Sequence, residues 1–259
     1  MRSRLHYGPA ILAAVGVLLT GSVAVAANDA AIREAIEARL EKANLEREAN
    51  VSVEVQDGAV TLSGLATSLP VSREIEKLAR KESKNVDNQL RVQIEEPVKD
   101  GDIVEGVRRA ILGYSRYDIF DYVEFGVKDG VVVLQGSVIQ PSKKHDIEKL
   151  VARVPGIRVL QNDISVQSMS RFDADLRVSL ARRIYGDSRF VHYAHRAHPP
   201  IRILVDQGNV TLAGAVGSPV EKAVLGNIAR STLSFSVENR LRVDGEVPEE
   251  DRKDESTPS

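Results

Sequence analysis

Cysteine and tryptophan are both missing from the 259 residues, and Phe and Tyr together with Trp make up only 4% of them. The absence of cysteine excludes a disulfide framework, so stability has to come from packing. It also excludes an acyl anchor on a cysteine after an export signal. No charge of one sign dominates. With 35 basic and 37 acidic residues, the chain does not look like a strongly basic nucleic-acid binder. Catalytic signatures are lacking too. The serines lie in strand or turn contexts without G-x-S-x-G. There is no Walker loop and no dinucleotide fingerprint, because Gly126 and Gly130 are not followed by Lys-Ser/Thr. The carboxylates are scattered over helix faces, so no catalytic set and no cofactor are expected.

Long apolar runs are missing except near the start. There, Arg2 and Arg4 precede an apolar stretch around Ile11 to Val17, and Ala24-Val25-Ala26 supply small residues suited to cleavage. Residues 1–26 are therefore expected to be a secretory signal peptide, too short to span a bilayer well. Removal would leave 33 basic residues against 37 acidic ones. A periplasmic location is the expectation.

What is abundant is a repeated phrase. Val51 to Val55, Asp57-Gly58 and Val60 to Gly64 form the first copy. Val123 to Val127, Asp129-Gly130 and Val132 to Gly136 form the second. Ile201 to Val205, Gln207-Gly208 and Val210 to Gly214 form the third. Apolar alternation on both sides of a two-residue turn ending in Gly signals a β-hairpin, whose type I′ turn needs positive φ at both central residues. Gly64, Gly136 and Gly214 are expected to close the second strand, at a tight exit or a close backbone approach.

Each hairpin sits in a unit of roughly 75 residues. A helix comes first, with Ile32, Ile36 and Leu40, then Ile103, Val107 and Ile111, then Leu176, Leu180 and Ile184 on one face. Asp29, Asp102 and Asp175 are the expected caps. A second helix follows the hairpin, and a third strand opens at Asn88, Asn162 or Asn239, expected to be structural. The prediction is an α+β chain of three tandem two-layer domains. Each runs helix, strand, strand, helix, strand, with a three-stranded sheet covered by two helices. The domains span 27–96, 101–168 and 171–245, joined by short links, before a disordered acidic tail at 246–259.

The hairpin Val53 to Gly64, the helix containing Ala79 and the closing Val86-Asp87-Asn88-Gln89-Leu90 resemble the BON domain of osmotically induced periplasmic proteins and nodulation proteins. The later copies carry the same marks. The resemblance implies an exported, noncatalytic protein that binds phospholipid or attaches to membrane surfaces, in osmotic or envelope stress. A protein-interaction scaffold without a lipid ligand is the alternative, using a composite surface or an exposed sheet edge.

Charge points to the third unit as the part that meets an anionic membrane. Residues 29–96 carry 10 basic and 14 acidic residues, 99–168 carry 10 and 10, and 171–245 carry 11 and 7. Arg182, Arg183, Arg189 and Arg196 with Phe190 and Tyr193 are the candidate lipid-binding residues, since guanidinium pairs phosphate and rings settle at headgroup level. Tyr114, Tyr117, Phe120 and Tyr122 are candidates for an inter-unit or membrane contact, against a bland role as core caps. His192, His195 and His198 recur at every third residue. With no acidic ligand close by, no metal is expected there, and a pH-sensitive surface loop fits better.

Overall fold

The computed structural model describes residues 19–94 and 96–244. The expected export segment up to residue 18 and the expected acidic tail lie outside the described residues.

In the first module, α1 (Leu19–Lys42) leads through a single 3₁₀ turn (Leu45–Arg47) to β1 (Ala49–Gln56) and β2 (Ala59–Ala66). Helix α2 (Leu69–Ala79) and β3 (Val86–Val92) follow. Strand β2 is central, antiparallel to β1 and parallel to β3. The four-residue steps of α1 turn Ile36 and Leu40 onto Val53, Val55, Val60 and Leu62, while Ile75, Leu78 and Ala79 of α2 close the same core. The opposite sheet face, with Ser52 and Glu54, is open to water. Ala24-Val25-Ala26, the expected cleavage site, lies within α1, so cleavage after Ala26 would still leave the part of the helix that packs.

Residues 94 onward form a second compact unit holding the other two modules. The second module comprises α3 (Asp100–Leu112), β4 (Tyr122–Lys128), β5 (Val131–Val138), α4 (Pro141–Ala152) and β6 (Val159–Val166). Its sheet order is β4-β5-β6. The third comprises α5 (Arg171–Tyr185), the single turn α6 (Val191–Ala194), β7 (Ile201–Asp206), β8 (Asn209–Val216), α7 (Pro219–Arg230), β9 (Ser236–Asn239) and β10 (Arg242–Val243). Here both β9 and β10 lie parallel to β8. The last strand breaks at Arg240-Leu241, and the Leu241 side chain is fully buried in the module's core.

All three turns place both central residues at positive φ: Asp57 and Gly58, Asp129 and Gly130, Gln207 and Gly208. Each turn is held by one carboxylate. Asp29 accepts from the amides of Asp57 and Gly58 at 2.9 and 2.8 Å. Asp100 accepts from Asp129 and Gly130 at 2.7 and 3.0 Å. Asp173 accepts from Gln207 and Gly208 at 3.0 and 2.7 Å. The expectation that Asp29, Asp102 and Asp175 cap their helices is thereby corrected. Asp29 sits inside α1, and the repeated carboxylates of the later modules are Asp100 and Asp173. A free turn amide is a better target for these side chains than the helix start, because tight turns leave both amides pointing one way. The expected caps failed because helical spacing alone does not say which of two acidic residues faces the turn.

Gly64, Gly136 and Gly214 stand inside their strands, since β2, β5 and β8 all run two residues further. The expectation that they end the strands is corrected; that of close backbone approach holds. A Cβ on Gly214 would lie 1.8 Å from the Pro200 carbonyl oxygen. The asparagines pin the third strand to the second helix. Asn88 donates to Ser72 and Glu76, Asn162 to Glu148, and Asn239 to the Lys222 carbonyl at 2.7 Å. Each also accepts the amide two residues on.

Candidate functional site

The second and third modules are joined by a seam of buried polar groups. Gln167, at the end of the second module, is buried and acts as a hub. Its amide nitrogen donates to the Phe120 carbonyl at 2.8 Å and to Ser137 at 3.2 Å. Its oxygen accepts the Val205 amide at 3.1 Å and Arg177 Nε at 3.3 Å. Arg177 also donates to the carbonyls of Ser168 and Val205. Arg202 donates to the Asp118 carbonyl at 2.7 Å and lies 4.8 Å from the Tyr117 ring centre. The Ile203 amide reaches the Ile119 carbonyl at 2.8 Å.

Strand β7 is an edge strand, so these bonds cap amides that would otherwise be open to strand addition. Behind the seam, Lys143 is buried between Asp118 at 2.8 Å and Asp121 at 2.6 Å. Burial pushes the Asp121 carboxyl above its usual value, against the pull of Lys143. Among the described residues no buried side-chain polar atom lacks a partner.

The aromatic run of the second module divides by position. Tyr114 is buried and donates to Asp146 at 2.7 Å; burial and that bond push its hydroxyl up to about 12. Tyr117 accepts the Val123 amide and underlies Arg202. Phe120 packs against the core of the third module. Tyr122 donates to Glu124. Tyr117 and Phe120 therefore touch the neighbouring module, and Tyr114 caps its own core.

The six lipid-binding candidates separate into two groups. Arg182, Arg183, Arg189 and Arg196 are exposed. Phe190 is 1% exposed and Tyr193 2%. The rings fill the third module's core, and Tyr193 donates to Glu221 and accepts the Gly217 amide. The expectation that they sit at headgroup level is corrected, because the excursion between α5 and β7 folds back over the core and needs large apolar anchors. Arg189 is held by Asp187 at 2.6 Å, and Arg196 lies 4.9 Å from the Tyr193 ring centre. His192, His195 and His198 are all exposed, and no group of metal-binding side chains occurs among the described residues.

Sequence reasoning missed the exposed rings. Phe172, 46% exposed, stacks with Phe235, 80% exposed, at a centroid separation of 6.0 Å. Leu233, two residues earlier, is 87% exposed. Helical spacing places Phe172 and Arg183 on one stripe of α5, and Arg171, Val178 and Arg182 on the next. All five are exposed. Arg183 also reaches Ser231, at the start of the loop that carries Leu233 and Phe235. A signal was available: four residues before the repeated Asn, the first two copies have Lys84 and Arg158, and the third has Phe235.

The BON domain family matches residues 28–94, 99–168 and 175–245, one match for each module. The chain belongs to the BON domain family. No curated protein shows a matching sequence. Among solved structures, similarity extends to CdsD, a structural protein of the type III secretion system of Chlamydia trachomatis. Identity is 13% and the TM-score 0.23, with 87% of this chain and 98% of that chain covered. The periplasmic domain of the type III secretion inner membrane protein PrgH from S. typhimurium is similar at 15% identity and a TM-score of 0.20. That match covers 78% of this chain and 100% of that one. The third BON module carries an exposed pair of stacked rings and exposed arginines along α5, and a buried polar seam joins it to the second module. Among the described residues, no helix is long and apolar enough to cross a membrane.

Proposed function

We propose that this BON protein is an exported, noncatalytic envelope protein that associates with anionic phospholipid through its third module. The observation that carries this is the exposed Phe172–Phe235 stack at the start of α5, next to Arg171 in sequence, with exposed Arg182 and Arg183 about three turns further along the same helix. Exposed rings have little reason to persist on a water-facing helix, and their place is at the boundary between headgroups and acyl chains. Guanidinium groups on the same face pair with phosphate. Leu233 and Val178 extend the apolar part. The surplus of basic residues in the third module draws it toward a negative surface, whereas the first module, with its acidic surplus, is repelled.

Sedimentation with vesicles tests this. The intact protein should pellet with phosphatidylglycerol vesicles and stay in solution with phosphatidylcholine vesicles. Phe172→Ala with Phe235→Ala should weaken binding without changing its salt dependence. Arg182→Glu with Arg183→Glu should abolish the preference for the anionic surface. Equal partitioning onto both vesicle types, or no binding to either, rejects the proposal.

A further inference from the structure

The second and third modules carry the same edge strand in two settings, and the second module's setting points to a binding groove. In a hairpin closed by Asp129-Gly130, the flanking pair Lys128–Val131 is hydrogen bonded. Val123, Phe125 and Val127 of β4 therefore aim their amides and carbonyls away from β5. The Val123 amide confirms this parity, since its partner is the Tyr117 hydroxyl and not β5. In the third module the equivalent amides of Ile203 and Val205 are capped by Ile119 and Gln167. The outward groups of Phe125 and Val127 have no partner among the described residues, so the edge is unpaired where its counterpart in β7 is sealed.

The stretch of this edge from Val123 to Gly126 lines a cleft of about 1040 Å³, and Val127 continues the strand beyond it. One wall is α3, with Val104, Arg108, Ile111 and Leu112; the other is the third module, with His198, Pro200, Arg202 and Arg242. A Cβ placed on Gly126 would meet nothing within 4 Å, so the sheet face beside the edge is open. Two exposed arginines, Arg108 and Arg242, against the one lining carboxylate of Glu124 make the cleft cationic.

We propose that the β4 edge receives an extended acidic segment of a protein partner, which adds as a fourth strand to the β4-β5-β6 sheet. Its backbone pairs with Phe125 and Val127, and its carboxylates meet the exposed Arg108 and Arg242. Main-chain pairing supplies the affinity of such an addition, and the arginines select charge. The site lies away from the aromatic face of α5 and does not depend on it.

The probe is a fluorescein-labelled peptide of alternating Val and Glu, with a Val and Lys peptide as its control. Anisotropy should show binding of the acidic peptide to the full chain and none of the basic one. Hydrogen exchange should show the Phe125 and Val127 amides slowed on binding. Arg108→Glu with Arg242→Glu, both exposed positions, should weaken binding by at least about tenfold while the melting temperature stays unchanged. Binding without slowing of those two amides overturns the proposal, as does equal binding of both peptides or none of either. Amides already protected in the free protein, together with dimers in sedimentation, would assign the edge to a second copy. Slowing by phosphatidylglycerol vesicles alone would assign it to lipid; either result also overturns the proposal.

Discussion

The oxygen of Gln167 accepts the backbone amide of Val205 at 3.1 Å, so a side chain at the end of one BON module caps the edge strand of the next. The bond is buried, and the same glutamine holds the Phe120 carbonyl on the other side. Two modules that each complete a sheet of their own are thereby made into a single unit. The junction is polar, but no buried side-chain polar atom in it lacks a partner, and removing one leaves others unpaired.

Gln167→Ala should loosen this junction without unfolding either module. The Val205 amide should lose protection in hydrogen exchange, while amides of β8 that pair within the sheet keep theirs. A cost of about 1–3 kcal/mol is expected for the partners left unsatisfied. Denaturant unfolding of the 94–259 unit should then show two transitions in place of one.

Asp173→Asn should destabilise the third module and make it less sensitive to acid. Although burial alone would raise the Asp173 carboxyl, the amides of Gly208 and Gln207 and the hydroxyls of Ser170 and Ser168 outweigh it and hold the carboxyl below its usual value. A depressed folded-state value means stability that is present above the unfolded-state value of about 3.9 and lost as pH falls through the folded one. The wild type and the variant should differ by about 1.5–3 kcal/mol near neutrality. The gap should close as pH drops below the usual carboxylate range, as followed by thermal melts across a pH series.

Lys143→Ala leaves Asp121 buried without its cation, at a cost of about 3–5 kcal/mol near neutrality. The sign is opposite to that of Asp173. The Asp121 carboxyl is already raised by burial, and losing Lys143 raises it further. Stability of the variant should therefore be greatest in acid and fall as pH climbs through the raised value. Thermal melts should show the variant closer to wild type at pH 4 than at pH 7.

Two glycines of positive backbone φ, 75° at Gly58 and 101° at Gly214, should respond differently to alanine. Gly58 has nothing within 4 Å of the position a Cβ would take, so Gly58→Ala costs only the left-handed backbone, about 1 kcal/mol. Gly214→Ala drives a methyl into the Pro200 carbonyl and should cost about 2–4 kcal/mol. Chemical denaturation of the two variants gives the comparison directly.

By itself the sequence determined the modules. Alternation around a Gly-containing turn, helical stripes four residues apart and a recurring Asn specify helix-strand-strand-helix-strand three times, because those periods fix which side chains share a buried face. The tertiary structure decided which polar and aromatic groups face outward. Asp100 and Asp173 hold the turns while Asp102 and Asp175 do not, although all four sit near helix starts. Phe190 and Tyr193 went into the core and Phe172 and Phe235 stayed out, although all four lie among polar neighbours in sequence. Gln167 is a hub only because β7 lies beside it. Burial of a face is a local consequence of periodicity, but the partner of a polar group or an exposed ring is set by segments tens of residues away, and no local pattern encodes that distance.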